Sequence, residues 1–233
     1  MKKLYIETYG CQMNVADSEV VASILADEYQ ISKDINEADL ILINTCSVRD
    51  HAEQRIRKRL TELGIMKKKR PFLQIGLLGC MAERVKEKLL NEENALDLIA
   101  GPDAYRSLPA LIQEAAIGKK TFNVMLSLEE TYDDIDPIRY DTNGISAFIS
   151  IMRGCQNYCA YCVVPYTRGR ERSRDPETIV AEARNLVERG YKEVTLLGQN
   201  VNSYRWKEGE SMVDFPELMH RVAEISPCLR VRF

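Results

Sequence analysis

The chain has 233 residues, 45% of them hydrophobic, and a formal net charge of -3, enough to bury one large core or two ordinary ones. No apolar run approaches the roughly 18 residues of a membrane span, and the N-terminus enters LYIETYG without a signal-peptide pattern, so a cytoplasmic protein with no membrane contact is expected. Seven cysteines in such a chain are expected to serve metals or catalysis rather than disulfides, and the slight acidity argues against indiscriminate nucleic-acid binding.

The first 117 residues repeat one pattern: an apolar strand, a turn, an amphipathic helix. LYIETYG, DLILINT, FLQIGLLG and ALDLIAG are the strand candidates, each short and rich in Leu, Ile or aromatic residues. Helices are expected near 15–29, 50–64, 81–91 and 105–117. The second carries an apolar stripe, Ala52, Ile56, Leu60 and Leu63, and Gly64 suits its C-terminal end. Such alternation predicts an α/β domain over 1–118, a flavodoxin-like parallel sheet with its four strands ordered 2-1-3-4 and helices on both faces. Cys11, Cys46 and Cys80 each follow one of the first three strands, at the edge where open parallel sheets bind ligands. Neighbouring strands lie about 4.8 Å apart, so the three tips can bring the three thiols together, although a buried cysteine also serves as a small hydrophobe.

From 119 to 144 the pattern lapses into an acidic linker, SLEETYDDIDP. Over 145–233 a second unit starts: the strand AFISIMRG, a helix opened by Asp175-Pro176 and closed by Gly190, the strand EVTLLG, a helix near 216–225, and the strand LRVRF. Ile179, Ala183, Leu186 and Val187 line the inner face of the first helix. This βαβαβ run reads as the first part of a (β/α) barrel, incomplete because eight-fold barrels take about 250 residues.

The loop after AFISIMRG packs Cys155, Cys159 and Cys162 into RGCQNYCAYC. Zinc sites pair their cysteines in two separated sets, and His51 and His220 sit among helical charges, so neither is expected as a ligand. Three thiolates suit a cubane iron–sulfur cluster that leaves one iron open for substrate. Two other readings stay open: a non-catalytic zinc-dependent RNA-binding module, and a thiol–disulfide oxidoreductase using Cys159-Ala-Tyr-Cys162. Gly198, Gln199 and Asn200 end the next barrel strand, where active-site groups gather. Arg168, Arg170, Arg172 and Arg174 alternate, so in an extended segment they share one face, expected to be an anion or RNA surface. Arg55, Arg57, Lys58 and Arg59 form a second basic cluster, and the run from Lys67 to Arg70 reads as a solvated helix end. Met152 and Met212 read as packing residues, and Cys228 as a buried structural thiol.

CX3CX2C with Tyr161 before its last cysteine resembles the radical S-adenosylmethionine (SAM) superfamily. YGCQMN, NTCSVR and GCMAER, followed by CAYCVVPYTRGRERSR and TLLGQNVNSY, extend the resemblance over the whole chain to the methylthiotransferases, specifically the MiaB type that modifies tRNA. The resemblance implies two 4Fe-4S clusters, one on Cys155, Cys159 and Cys162 whose open iron chelates SAM, the other on Cys11, Cys46 and Cys80. It implies reductive cleavage of SAM to a 5′-deoxyadenosyl radical, hydrogen abstraction from C2 of an adenine, and delivery of a sulfur methylated by a second SAM. Tyr161, by the same resemblance, lies against the SAM adenine. Tyr9 to Asn14, Ser47-Val48-Arg49 and Met81-Ala82 are similar to the branch that acts on N6-isopentenyladenosine beside the anticodon, rather than those acting on threonylcarbamoyl adenosine or a ribosomal protein. The partners implied are tRNA, an electron donor, and a sulfur or cluster donor. The RNA-binding domain usual at the family's C-terminus has no counterpart in these residues.

Overall fold

The structure, a computed structural model, describes residues 1–46, 50–140, 143–209 and 211–233, and their side chains except those of 50–52, 87 and 208. β1 (Lys2–Tyr9) turns at Gly10 into α1 (Gln12–Ile24), followed by β2 (Tyr29–Ile31), β3 (Leu40–Thr45), α2 (Asp50–Lys69), β4 (Gln74–Leu78), α3 (Cys80–Glu92), β5 (Leu98–Ala100), α4 (Leu108–Ala116) and β6 (Thr121–Asn123). Every pairing is parallel, in the order β2-β1-β3-β4-β5-β6. β3 and β4 are buried along their whole length, so LILINT and QIGLL read as unbroken apolar runs instead of alternating ones. Ile56, Leu60 and Leu63 of α2 cover one face with Ile41, Ile43 and Leu77, while Val21 of α1 and Leu108 of α4 cover the other with Leu40 and Leu42. Ser47-Val48-Arg49 lie outside the described residues, as do the side chains of His51 and Ala52.

The strand order needs a correction. The four expected strands are β1, β3, β4 and β5, and they lie side by side in chain order. Tyr29–Ile31, placed by the sequence at the tail of the first helix and beyond, is itself a strand that takes the edge beside β1. Counting it restores a flavodoxin-like order, 2-1-3-4-5. The helix ends at Ile24 because the next residues turn, with the Tyr29 amide donating back to the Leu25 carbonyl at 2.9 Å. Gly64 does not end α2 either: the helix runs through it to Lys69, and a Cβ there would meet that of Ala95 at 3.4 Å, an ordinary contact. Lys67, Lys68 and Lys69 then occupy its last turn, where cations complement the helix dipole.

The segment expected to be a linker supplies β6 and then packs Tyr132 into the core at 2% exposure. Beyond it lie β7 (Ser146–Ser150), β8 (Met152–Arg153), α5 (Val164–Thr167), β9 (Arg172–Ser173), α6 (Pro176–Glu188), β10 (Glu193–Leu197), β11 (Arg205–Glu208), β12 (Ser211–Asp214), α7 (Phe215–Ala223) and β13 (Arg230–Arg232). β7, β10 and β13 form a parallel sheet in the order β13-β10-β7. Asp175 caps α6 by accepting from the Glu177 amide at 2.8 Å, as its Asp-Pro start predicts. AFISIMRG is broken at Ile151, so that β8 leaves the sheet to pair antiparallel with β9. The β11–β12 hairpin was not foreseen, and Cys228 is exposed rather than buried. Among the described residues no helix is long and apolar enough to cross a membrane.

Candidate metal centres

The register of the first sheet decides where its cysteines go. Tyr9 pairs with Thr45 and Asn44 with Leu78, so Cys11, Cys46 and Cys80 each stand one or two residues past a paired row on three adjacent strands. The chain turns at Gly10 with φ +139°, and a Cβ there would sit 2.7 Å from the Cβ of Cys46; no larger residue lets these two cysteine loops meet. Cys11 precedes the first turn of α1 and Cys80 opens α3, positions whose unpaired backbone amides favour a thiolate. Hydrogen bonding to Cys46 draws the Cys11 thiol from 9.0 down to about 5, against the opposing effect of burial. The same partner takes buried Cys80 to about 6, with the Arg168 charge assisting.

Sequence reasoning missed the residues that hold this edge rigid. The Asn14 side-chain oxygen accepts from the Cys11 amide and thiol, both at 3.3 Å, while its nitrogen donates to Asn44 at 3.0 Å. Asn44 donates in turn to the Asn14 carbonyl and to Ser18, both at 2.9 Å. Asn14, Ser18 and Asn44 are completely buried, and their mutual pairing removes the penalty such groups would otherwise carry. The available signal was a polar residue inside an otherwise apolar strand end, LILINTC.

The second triplet belongs to the loop between β8 and α5. Cys155 is buried, Cys162 half-buried and Cys159 exposed; the Cys155 amide donates to Gly169 at 3.2 Å and that of Cys162 to Cys159 at 2.9 Å. Gly154, at φ +80°, lets this loop lie against the Arg170 carbonyl, 1.9 Å from where a Cβ would be. Directly after Cys162, Val163 and Val164 join Cys11, Cys46 and Cys80 around one cavity of about 260 Å³. Gly198 and Gln199 close its far side. Both polar atoms of the Gln199 amide are buried without a partner, which marks a place for a polar ligand. Asn200 is instead bonded to Ser203 at 2.6 Å, and Tyr161 stands 93% exposed.

The arginine run behaves unlike the expected RNA surface. Arg170 alone of the four is exposed; Arg168, Arg172 and Arg174 are 3%, 6% and 5% exposed. The four do not share one face: Arg168 caps the end of α5, and Arg168 and Arg172 turn to the first sheet domain while Arg174 turns to α6. Arg168 and Arg153 grip the two carboxylate oxygens of Asp17 in α1, each at 2.8 Å, and Arg172 meets Asp103 at 2.9 Å. Burial pushes the Asp17 carboxyl up, yet the two guanidinium groups outweigh it and hold it below the ordinary range. Arg174 pairs with Glu182, which Arg139 links onward to Glu19 of α1. Met152 is buried in the second core and Met212 is exposed on the hairpin, while His220 is exposed beside Glu224.

Three thiols, two of them already shifted toward thiolate, at the rim of a cavity fit a thiolate-held iron–sulfur core. Among the described residues no three His, Cys, Asp or Glu side chains are gathered for a single metal ion. Residues 3–101 match the model of uncharacterized protein family UPF0004, and residues 149–227 that of the Radical SAM superfamily. Over the whole chain it is 57% identical to the tRNA-2-methylthio-N(6)-dimethylallyladenosine synthase of Amoebophilus asiaticus, covering 50% of that protein. It is 58% identical to that of Bacteroides fragilis (51% covered) and 53% to that of Flavobacterium johnsoniae (51% covered). The chain thus spans about half the length of these curated relatives. Its fold resembles that of a radical S-adenosylmethionine methyltransferase, TsrM, from Kitasatospora setae, with a TM-score of 0.63 at 13% identity over 99% of this chain and 54% of that one. The chain thus matches the two family models in succession, and along its whole length it is similar to about half of these synthases.

Proposed function

We propose that this protein adds a methylthio group to C2 of N6-isopentenyladenosine beside the anticodon of tRNA, using one SAM as methyl donor and another as radical source. The observation that carries the reading is the cavity in which Cys11, Cys46 and Cys80 meet the chain leaving Cys162 and the unpaired amide of Gln199. Relatives at 53–58% identity carry the name of that synthase, which supports the isopentenyl branch over the two other targets.

In this reading Cys155, Cys159 and Cys162 hold the 4Fe-4S cluster that binds SAM, and Cys11, Cys46 and Cys80 hold the second. Loaded, the pair supplies one-electron chemistry and sulfur at an aromatic C–H bond that no acid–base side chain can deprotonate at neutral pH. The residues present do the rest. Gln199 offers a donor and an acceptor to a polar ligand in the cavity. Met13 and Leu197, buried together, give it an apolar wall that keeps water away. Tyr161 and Arg170, both exposed, are placed to meet SAM or tRNA from outside. Electron and sulfur donors are the further partners, and the compartment is the cytoplasm.

Two measurements test this. Anaerobically purified protein should carry about eight irons per chain with matching acid-labile sulfide; zinc without iron would support the RNA-binding module, and a redox-active dithiol without iron the oxidoreductase. Incubation with SAM and reductant should then convert isopentenyladenosine in tRNA to its 2-methylthio derivative. Modification of threonylcarbamoyl adenosine or of a ribosomal protein instead would reassign the substrate.

A further inference from the structure

Between the two sheet units the buried arginines outnumber the carboxylates they face. Arg153, Arg168 and Arg172 face the carboxylates of Asp17 and Asp103, three cations against two anions, with all five side chains at most 4% exposed. Glu83, buried one turn beyond Cys80, has its own cation in Lys86 at 3.4 Å. Arg153 Nε, Arg172 Nε and Arg168 Nη1 are each buried without a hydrogen-bond partner, and of these three arginines it is Arg168 that reaches the cysteines. Its Nη2 serves Asp17, its Nε donates to the Cys80 sulfur at 3.1 Å, and its Nη1 is buried without a partner. Arg168 also lines the three-cysteine cavity, and it comes from the radical SAM half, whereas Cys80 and Asp17 belong to the other. The Cys80 sulfur is the partner this guanidinium has in the cavity, and a thiolate-held cluster there would add to the negative charge it faces.

We propose that Arg168 is a positioning residue of the Cys11–Cys46–Cys80 centre, fixing the Cys80 sulfur and lending it positive charge, so that loading this centre and docking the two units onto each other are linked. The proposal rests on the reading that these cysteines hold a cluster. A positive neighbour hydrogen-bonded to a ligand sulfur favours the more reduced, more negative cluster, and one planar fork reaches both Cys80 and Asp17, which a lysine cannot do.

The test uses the full chain with Cys155, Cys159 and Cys162 all changed to Ala, reconstituted anaerobically with iron and sulfide, so that one cluster is observed. Arg168→Gln should move its midpoint potential to more negative values. Hydrogen exchange of residues 163–174 should slow at least about tenfold on loading with Arg168 present and lose most of that response in Arg168→Gln. Arg168→Lys should retain more of the potential while losing the exchange response. Asp17→Asn, which leaves Arg168 intact, should weaken the exchange response and disturb the potential less. A purely structural arginine would loosen loaded and unloaded chains alike, leaving both differences unchanged. About four irons per chain with potential and exchange response unaltered in Arg168→Gln overturns the proposal alone; no iron in the parent background overturns the cluster reading, and the proposal with it.

Discussion

Cys11 is the exposed member of its triplet, and its lowered pKa gives a direct handle on the site. Its thiolate is favoured in the folded chain, so the stability it contributes is complete above the ordinary value of 9.0 and is lost as pH falls through about 5. Cys80 adds the same sign, lost through about 6. The metal-free chain should therefore weaken as pH falls from 9 toward 5, a trend that Cys46→Ala flattens because Cys46 is the main cause of both shifts. Alkylation of Cys11 by iodoacetamide, followed by mass spectrometry, should show a half-maximal rate near pH 5, moving toward 9 in Cys46→Ala. An unmoved profile would mean the thiols do not meet. The two triplets should also separate by function: Cys155→Ala abolishes SAM cleavage, whereas Cys11→Ala leaves cleavage largely intact and stops sulfur insertion, as read from 5′-deoxyadenosine and methylthio-nucleoside yields.

At the level of elements, the parallel sheet was legible because β3 and β4 announce themselves as apolar runs bounded by turns, and their cysteines mark the ligand-binding edge. β2 and β6 were not: each is three residues of mixed polarity, YQI and TFN, whereas β5 of the same length lies in the apolar run ALDLIAG. Gly64 was misread because a glycine signals a helix end in sequence, while α2 runs on through it to Lys69. The Asn14–Asn44 pair was hidden for a similar reason: each asparagine alone suggests a turn, and only the β1–β3 register puts them in contact. Asn44→Ala should leave the Asn14 amide unpaired in the interior, at a cost of about 1–3 kcal/mol. Urea unfolding should register that loss, with a further fall in iron retained at the first triplet.

At the scale of the whole molecule, the alternating arginines show how a correct local reading can give the wrong surface. The alternation was readable from spacing, but which arginine meets water and which meets protein depends on partners such as Asp17 of α1, some 150 residues away in the chain. Buried ion pairs of this kind specify an arrangement more than they stabilise it, and breaking one partner is what costs. Arg139 is the clearest case: 1% exposed, it joins Glu19 of the first unit to Glu182 of the second and donates to the Phe148 carbonyl at 2.9 Å. Arg139→Ala removes the cation shared by Glu19 and Glu182, of which Glu182 keeps Arg174, and a loss of about 3–5 kcal/mol is expected in equilibrium unfolding, together with faster proteolysis between the units. A change under about 1 kcal/mol would place the pair among surface bridges instead.

The claim on which the rest depends is that three cysteines from three separate strands hold one iron–sulfur cluster. Mössbauer spectroscopy of the anaerobically reconstituted chain lacking Cys155, Cys159 and Cys162 measures it most directly. The predicted result is the signal of a single 4Fe-4S cluster at about four irons per chain, abolished by adding Cys46→Ala. Iron that persists unchanged without Cys46, or a chain that binds only zinc, would contradict it.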